Sequence, residues 1–125
     1  MLKTILLVGS GGFVGSVARY YVSKLNVTSG LFSLPVGTLL VNVTGSLLLG
    51  FLVGLAGRGT GLPPEWRLFL MVGLCGGFTT FSTFAGENLS LMQGGQYLSM
   101  AIYTALSVFL GLIAVFAGYS ITKLI

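Results

Sequence analysis

Apolar residues gather into four long runs along the 125 residues, and polar residues collect in the short gaps between them. The first run extends from about Leu2 to Val22 and the second from about Leu34 to Ala56. The third follows Leu62-Pro63-Pro64-Glu65-Trp66-Arg67, and the fourth spans about Gln96 to Ile121. Each is close to the roughly 20 residues that a helix needs to cross the hydrocarbon of a bilayer. The pattern therefore predicts an all-α membrane protein of four transmembrane helices, one domain over residues 1–125. Local signals agree: Pro35 opens the second run, and Pro63, Pro64 and Glu65 open the third beside an interfacial Trp66. Lys3 ahead of an apolar run imitates a secretion signal. However, Arg19-Tyr20-Tyr21 stands where a small-residue cleavage site belongs, so the run reads as a retained span.

Composition closes off the soluble alternatives. Apolar residues make up 54% of the chain and charged residues only 6%, against about 25% in a typical soluble domain. Mean hydropathy is +1.01. The net charge of +4 does not point to nucleic acid, because Lys3, Arg19, Lys24, Arg58, Arg67 and Lys123 are scattered near the ends of the runs, where they suit lipid headgroups. With no His, one Cys and two acids, a zinc site or a Ser-His-Asp machine is nearly excluded, and the chain is not expected to be an enzyme. Cys75 alone makes no disulfide and reads as a buried thiol.

Twenty glycines are a packing signal. Gly11/Gly15, Gly50/Gly54 and Gly73/Gly77 have the four-residue spacing that brings helix backbones together, within the chain or across a subunit interface. An even number of spans puts Lys3, Arg58, Arg67 and Lys123 on one side and Lys24 with Arg19 on the other. Four against two is a small bias. It allows ordinary insertion with cytoplasmic termini, or dual topology with antiparallel dimers.

The third span carries the chemistry. A Gly76-Gly77 pair is followed by Thr79, Thr80, Ser82 and Thr83, a combination that predicts a break near Gly76–Thr80. Irregular backbone at bilayer depth is tolerated only where protein buries it or it lines a polar cavity, and broken helices suit bound ions. Beyond it, Thr80, Thr83, Glu87 and Ser90 form a polar stripe, with Phe81 and Phe84 on a neighbouring face. Ring edges carry positive charge and can face an anion, although aromatic stripes usually serve packing. Asn42 offers amide donors or a helix cross-link. Tyr103 and Ser107, one turn apart in the fourth span, offer hydroxyls. Arg19 reads equally as an anion attractor or a snorkelling anchor.

Three motifs, Gly11-Gly12-Phe13-Val14-Gly15 leading to Arg19-Tyr20, Pro35-Val36-Gly37-Thr38-Leu39-Leu40-Val41-Asn42 with Gly45, and GGFTTFSTF at 76–84, resemble in order and spacing the Fluc (CrcB-type) fluoride channels of bacteria. The resemblance spans nearly the whole chain. It implies an antiparallel dual-topology homodimer in the bacterial inner membrane, with two fluoride pores and a structural sodium ion at the dimer centre. By motif position Phe81 and Phe84 resemble the pore phenylalanines and Asn42 the pore asparagine. Thr80, Ser82 and Thr83 share that motif, and Tyr103 and Ser107 resemble the start of a polar track. The carbonyls of Gly76 and Thr79 would hold the sodium, and Arg19 and Glu87 would stand near the vestibules. The chain departs from the family where the track should continue, since the next turns of the fourth span present Gly111 and Val115.

The implied function is passive fluoride export. Hydrogen fluoride enters as a neutral acid and ionises inside, and a channel lets the trapped anion leak out. A small multidrug-resistance-like antiporter is the main rival. It would need a carboxylate in the first span, which has none. A holin-like or assembly subunit would explain the glycines but not the GGFTTFSTF segment with Asn42.

Overall fold

The computed structural model describes residues 1–24, 34–58 and 61–125. Among the described residues, four helices are long and apolar enough to cross a membrane: Leu2–Ser23, Val36–Ala56, Pro64–Gln93 and Tyr97–Leu124. We label Leu2–Ser23 as α1 and Val36–Ala56 as α2. The third span starts as α3, Pro64–Arg67, with Pro63 as its cap and Pro64 and Glu65 in its first turn, as their residue types predict. It continues in the wider π-helical form over Leu68–Cys75 and returns to α4 at Gly76–Phe78. Thr79 is extended, with φ −82° and ψ 157°, and α5 follows over Ser82–Gln93. The glycine pair is thus helical, and the departure from helical backbone falls just after it. The π-helical stretch carries no sequence signal that we read.

Gly95 turns the chain from α5 into α6, Tyr97–Leu124. Its φ of +75° is a conformation that suits glycine. The N–H of Gly95 bonds the Met92 carbonyl and that of Gln96 bonds the Leu91 carbonyl, closing the helix in a Schellman turn.

The spans run alternately up and down. Lys3 Nζ lies 3.4 Å from Glu65 Oε1, which puts the starts of α1 and α3 together. Arg58 donates to the Thr122 carbonyl at 3.2 Å, which puts the ends of α2 and α6 together. Arg67 donates to the Ala56 carbonyl and Lys123 lines a cavity with Arg58, so Lys3, Arg58, Arg67 and Lys123 belong to one end, as the sequence grouping predicts. 

Packing is by glycine. A side chain at Gly11 would overlap the Phe69 carbonyl, and one at Gly50 would overlap the Val115 carbonyl. The spaced pairs Gly11/Gly15, Gly50/Gly54 and Gly73/Gly77 all meet atoms of this chain, so they join α1 to the third span and α2 to α6 instead of marking a subunit interface. The interior holds few large side chains, among them Val41 and Tyr103, both 0% exposed, while Phe13, Phe109 and Phe116 point outward. Outward phenylalanines are stable where lipid, not water, is the solvent, and close backbone contact then supplies the packing.

Candidate functional site

The departure from helical backbone after Phe78 is held in place by α2. Asn42 Oδ1 accepts the Thr80 N–H at 2.9 Å, and Asn42 Nδ2 donates to the Thr80 carbonyl at 3.0 Å. This two-point clamp satisfies the N–H and the carbonyl of one residue, Thr80, that would otherwise belong to the helix ladder. The Thr80 hydroxyl then accepts the Thr83 N–H at 3.2 Å, the bond that starts many helices, and α5 begins. Thr79 turns its hydroxyl back to the Cys75 carbonyl at 2.8 Å. Its methyl occupies the space that a side chain on Gly45 would need, so the lack of one there lets α2 approach.

These redirected donors leave acceptors behind. The Thr80 N–H goes to Asn42 and the Thr83 N–H to Thr80, so among the described residues no N–H reaches the carbonyls of Gly76 or Thr79. A Cβ at Gly76 would meet nothing within 4 Å. Both residues line an open pocket of about 520 Å³ that Asn42, Thr80, Phe81, Phe84 and Ser107 also line. The structure therefore brings seven of the predicted residues into one place. Phe81 is 78% exposed, and its ring lies 5.7 Å from that of Phe84. The Ser107 hydroxyl is buried and has no hydrogen-bond partner among the described residues. A buried, unpartnered hydroxyl is costly unless something else engages it.

The other predicted residues stand apart from that pocket. Tyr103 is fully buried, packs its ring 5.1 Å from Phe84 and donates its hydroxyl to Glu87 Oε1 at 3.0 Å. Thr38, 1% exposed, donates to Glu87 Oε2 at 3.0 Å. Glu87 is thus engaged by hydroxyls from α2 and α6. Arg19 Nε donates to the Gly77 carbonyl at 3.0 Å, so α1 caps the end of α4 with a cation, a favourable partner for a helix C-terminus. Ser82 is exposed, and neither it nor Thr83 lines the pocket.

The arrangement can desolvate a small anion in part, with hydroxyl, amide and ring-edge contacts and no cationic side chain among its lining. Residues 6–119 match the family of CrcB-like proteins (Camphor Resistance). The chain belongs to this family. Three relatives bear the name fluoride-specific ion channel FluC. That of Chlorobaculum tepidum is 48% identical over 99% of this chain and 98% of its own length. The one from Rhizobium meliloti is 45% identical over 98% of both chains. The one from Azobacteroides pseudotrichonymphae is 42% identical, again over 98% of both. With its four spans, this member of the family is a multi-pass membrane protein.

Two lining residues, Ser46 and Val108, escaped the sequence reading, and Ser46 is the polar one. Ser46 lies in the pocket, and its Oγ is 3.9 Å from where a Gly111 side chain would begin. It stands one turn after Asn42 on α2, a spacing that puts both on one face. That spacing was the available signal.

Proposed function

We propose that the chain is a fluoride-selective channel and not an enzyme, a passive route by which fluoride leaves the bacterial cytoplasm through the inner membrane. The observation that carries this reading is the pocket, where neutral donors and two phenyl rings converge beside the unpartnered Ser107 hydroxyl. Fluoride is small and strongly hydrated, so its water has to be replaced group by group. The Asn42 amide has one N–H left after its bond to Thr80. Phe81 and Phe84 offer ring edges. Ser107 supplies the next hydroxyl, and Ser46 supplies one from α2 at the level where Gly111 leaves α6 bare. No cationic side chain lines the path, which keeps binding weak enough for exit.

The interruption at residues 79–81 is then a working break in the third helix. Two copies assemble as an antiparallel, dual-topology homodimer. The small charge bias between the two ends, four cations against two, supports this, as do the open faces of Gly76 and Gly86 and the exposed ring of Phe81. The donor-free carbonyls of Gly76 and Thr79 fit a sodium ion, a hard cation that takes neutral oxygen ligands. Bound there, it would supply positive charge that joins two copies without taking part in conduction.

The test is fluoride efflux from liposomes containing the purified protein, with chloride efflux run in parallel. Rapid fluoride release without chloride release is expected. Silence toward both anions from folded protein would overturn the channel reading. For the assembly, a single cysteine at a terminus should be labelled from both sides of the membrane. One-sided labelling would rule out dual topology and leave the channel reading to the efflux assay.

A further inference from the structure

Another cavity, of about 420 Å³, lies between the last turns of α2 and α6, at the end of the bundle that carries both termini. Gly54, Gly57, Arg58, Tyr119, Thr122, Lys123 and Ile125 line it. Its floor is fixed. Thr122 is 5% exposed, donates its hydroxyl to the Tyr119 carbonyl at 2.6 Å and fills the space a Gly54 side chain would take. Two cations line its walls. Arg58 spends two N–H groups, one on the Thr122 carbonyl at 3.2 Å and one on the main-chain oxygen of Ile125 at 3.4 Å, where part of its charge is offset. A guanidinium has five, so most of its donors remain. Lys123 Nζ lies 4.9 Å above the Tyr119 ring.

No carboxylate side chain offsets these charges. The chain has two acids, Glu65 and Glu87, and neither lines the cavity. Glu65 pairs with Lys3, and Arg67 is bound to the Leu62 and Ala56 carbonyls. Arg58 and Lys123 are therefore the two cations of this end that share a cavity. Below them, Leu112 and Phe116 continue the face of α6 that carries Tyr119 and Lys123, and they are 56% and 70% exposed.

We propose that this cavity binds the phosphate of an anionic phospholipid, with Arg58 and Lys123 holding the headgroup and the Leu112–Phe116 face receiving an acyl chain. A guanidinium beside an ammonium suits a phosphate oxyanion. The cavity stands at the ends of two spans, where lipid phosphates lie, and basic pockets between membrane helices are known to take acidic headgroups. The apolar face that leads into it favours a lipid over free phosphate. A zwitterionic headgroup brings its own cation and is the weaker ligand.

Native mass spectrometry of the detergent-solubilised protein, titrated separately with phosphatidylglycerol and phosphatidylcholine, tests this. The wild type is expected to prefer phosphatidylglycerol. Lys123→Gln should weaken that binding about fivefold, the effect of one cation near a membrane surface. Adding Arg58→Gln should lower it to the phosphatidylcholine level. Arg58 also caps α6, so Lys123→Gln, which leaves that cap in place, decides the matter if the double variant does not fold. Lys24→Gln is the control, because Lys24 stacks on Tyr20 and Tyr21 in the same manner but lines none of these cavities. Equal binding of the two lipids, an unchanged Lys123→Gln variant, or equal losses from Lys24→Gln and Lys123→Gln would overturn the site. Displacement of phosphatidylglycerol by millimolar inorganic phosphate would overturn the lipid assignment.

Discussion

Asn42→Asp changes an NH2 group into an oxygen of nearly the same size, so it tests charge and donor capacity with little change of volume. The variant keeps an acceptor for the Thr80 N–H, now 2.9 Å from Oδ1. It loses the donor to the Thr80 carbonyl, 3.0 Å away, and sets two oxygens against each other there. Loss of one hydrogen bond costs about 1 kcal/mol. The new charge matters more if an anion passes beside it. At a separation of about 5 Å and an effective dielectric of about 20, two like charges repel by about 3 kcal/mol. That raises the barrier enough to slow passage by about two orders of magnitude. Asn42→Ala is the comparison, since it removes both bonds to Thr80 and adds no charge; its flux should fall about tenfold, in keeping with a lost clamp of 1–2 kcal/mol. A fluoride electrode reports both variants in liposomes, and size-exclusion chromatography confirms that each remains folded. An Asp variant that conducts as well as the Ala variant would refute the reasoning, because Asn42 would then only tie α2 to residue 80.

Phe81→Ile should cut fluoride flux by up to about tenfold, the upper worth of an aromatic contact. Because the ring is 78% exposed, thermal stability should stay almost unchanged; normal flux would remove this ring from the path. Ser46→Ala should lower flux about fivefold, the equivalent of one hydrogen bond, and more in combination with Ser107→Ala. Wild-type flux in both variants would assign the region beside Gly111 to another element. Gly50→Ala drives a methyl into the Val115 carbonyl, where backbone has to move. It should destabilise the protein by about 1–3 kcal/mol, read as a lower midpoint of thermal unfolding in detergent, and an unchanged midpoint would contradict the α2–α6 contact.

The spans were legible because a bilayer imposes one simple requirement, a long apolar run with polar ends. Pro63, Pro64 and Glu65 carried helix-start signals, and the helix begins at Pro64, ahead of the apolar run that follows Arg67. The site was legible in part. Clustered hydroxyls after a glycine pair signalled irregular backbone, yet they could not show which peptide leaves the ladder. The Asn42 clamp on Thr80 fixes that, and it joins residues 38 positions apart. The bonds of Tyr103 and Thr38 to Glu87 were invisible for the same reason, since pairing across three helices depends on how α2, α5 and α6 rotate about their axes. Ser46 was overlooked because a lone serine in an apolar run usually bonds its own preceding turn.

The position of Glu87 poses a question for an anion path, because a carboxylate beside it would repel its cargo. Its surroundings supply an answer. Tyr103 and Thr38 each donate a hydroxyl to one of its oxygens, and hydrogen bonds to a carboxylate disperse its charge over its donors. Tyr103 in turn lies against Phe84, and Phe84 against Phe81. The hydroxyl that the sequence offered as an anion donor is therefore spent on Glu87. What Tyr103 presents to the phenylalanines is its ring. On the proposed path, the donors left for a passing anion are the second Asn42 N–H and the hydroxyls of Thr80, Ser107 and Ser46, all neutral. In a chain with charged residues at only 6%, neutral dipoles are the means by which an anion can be held briefly and released.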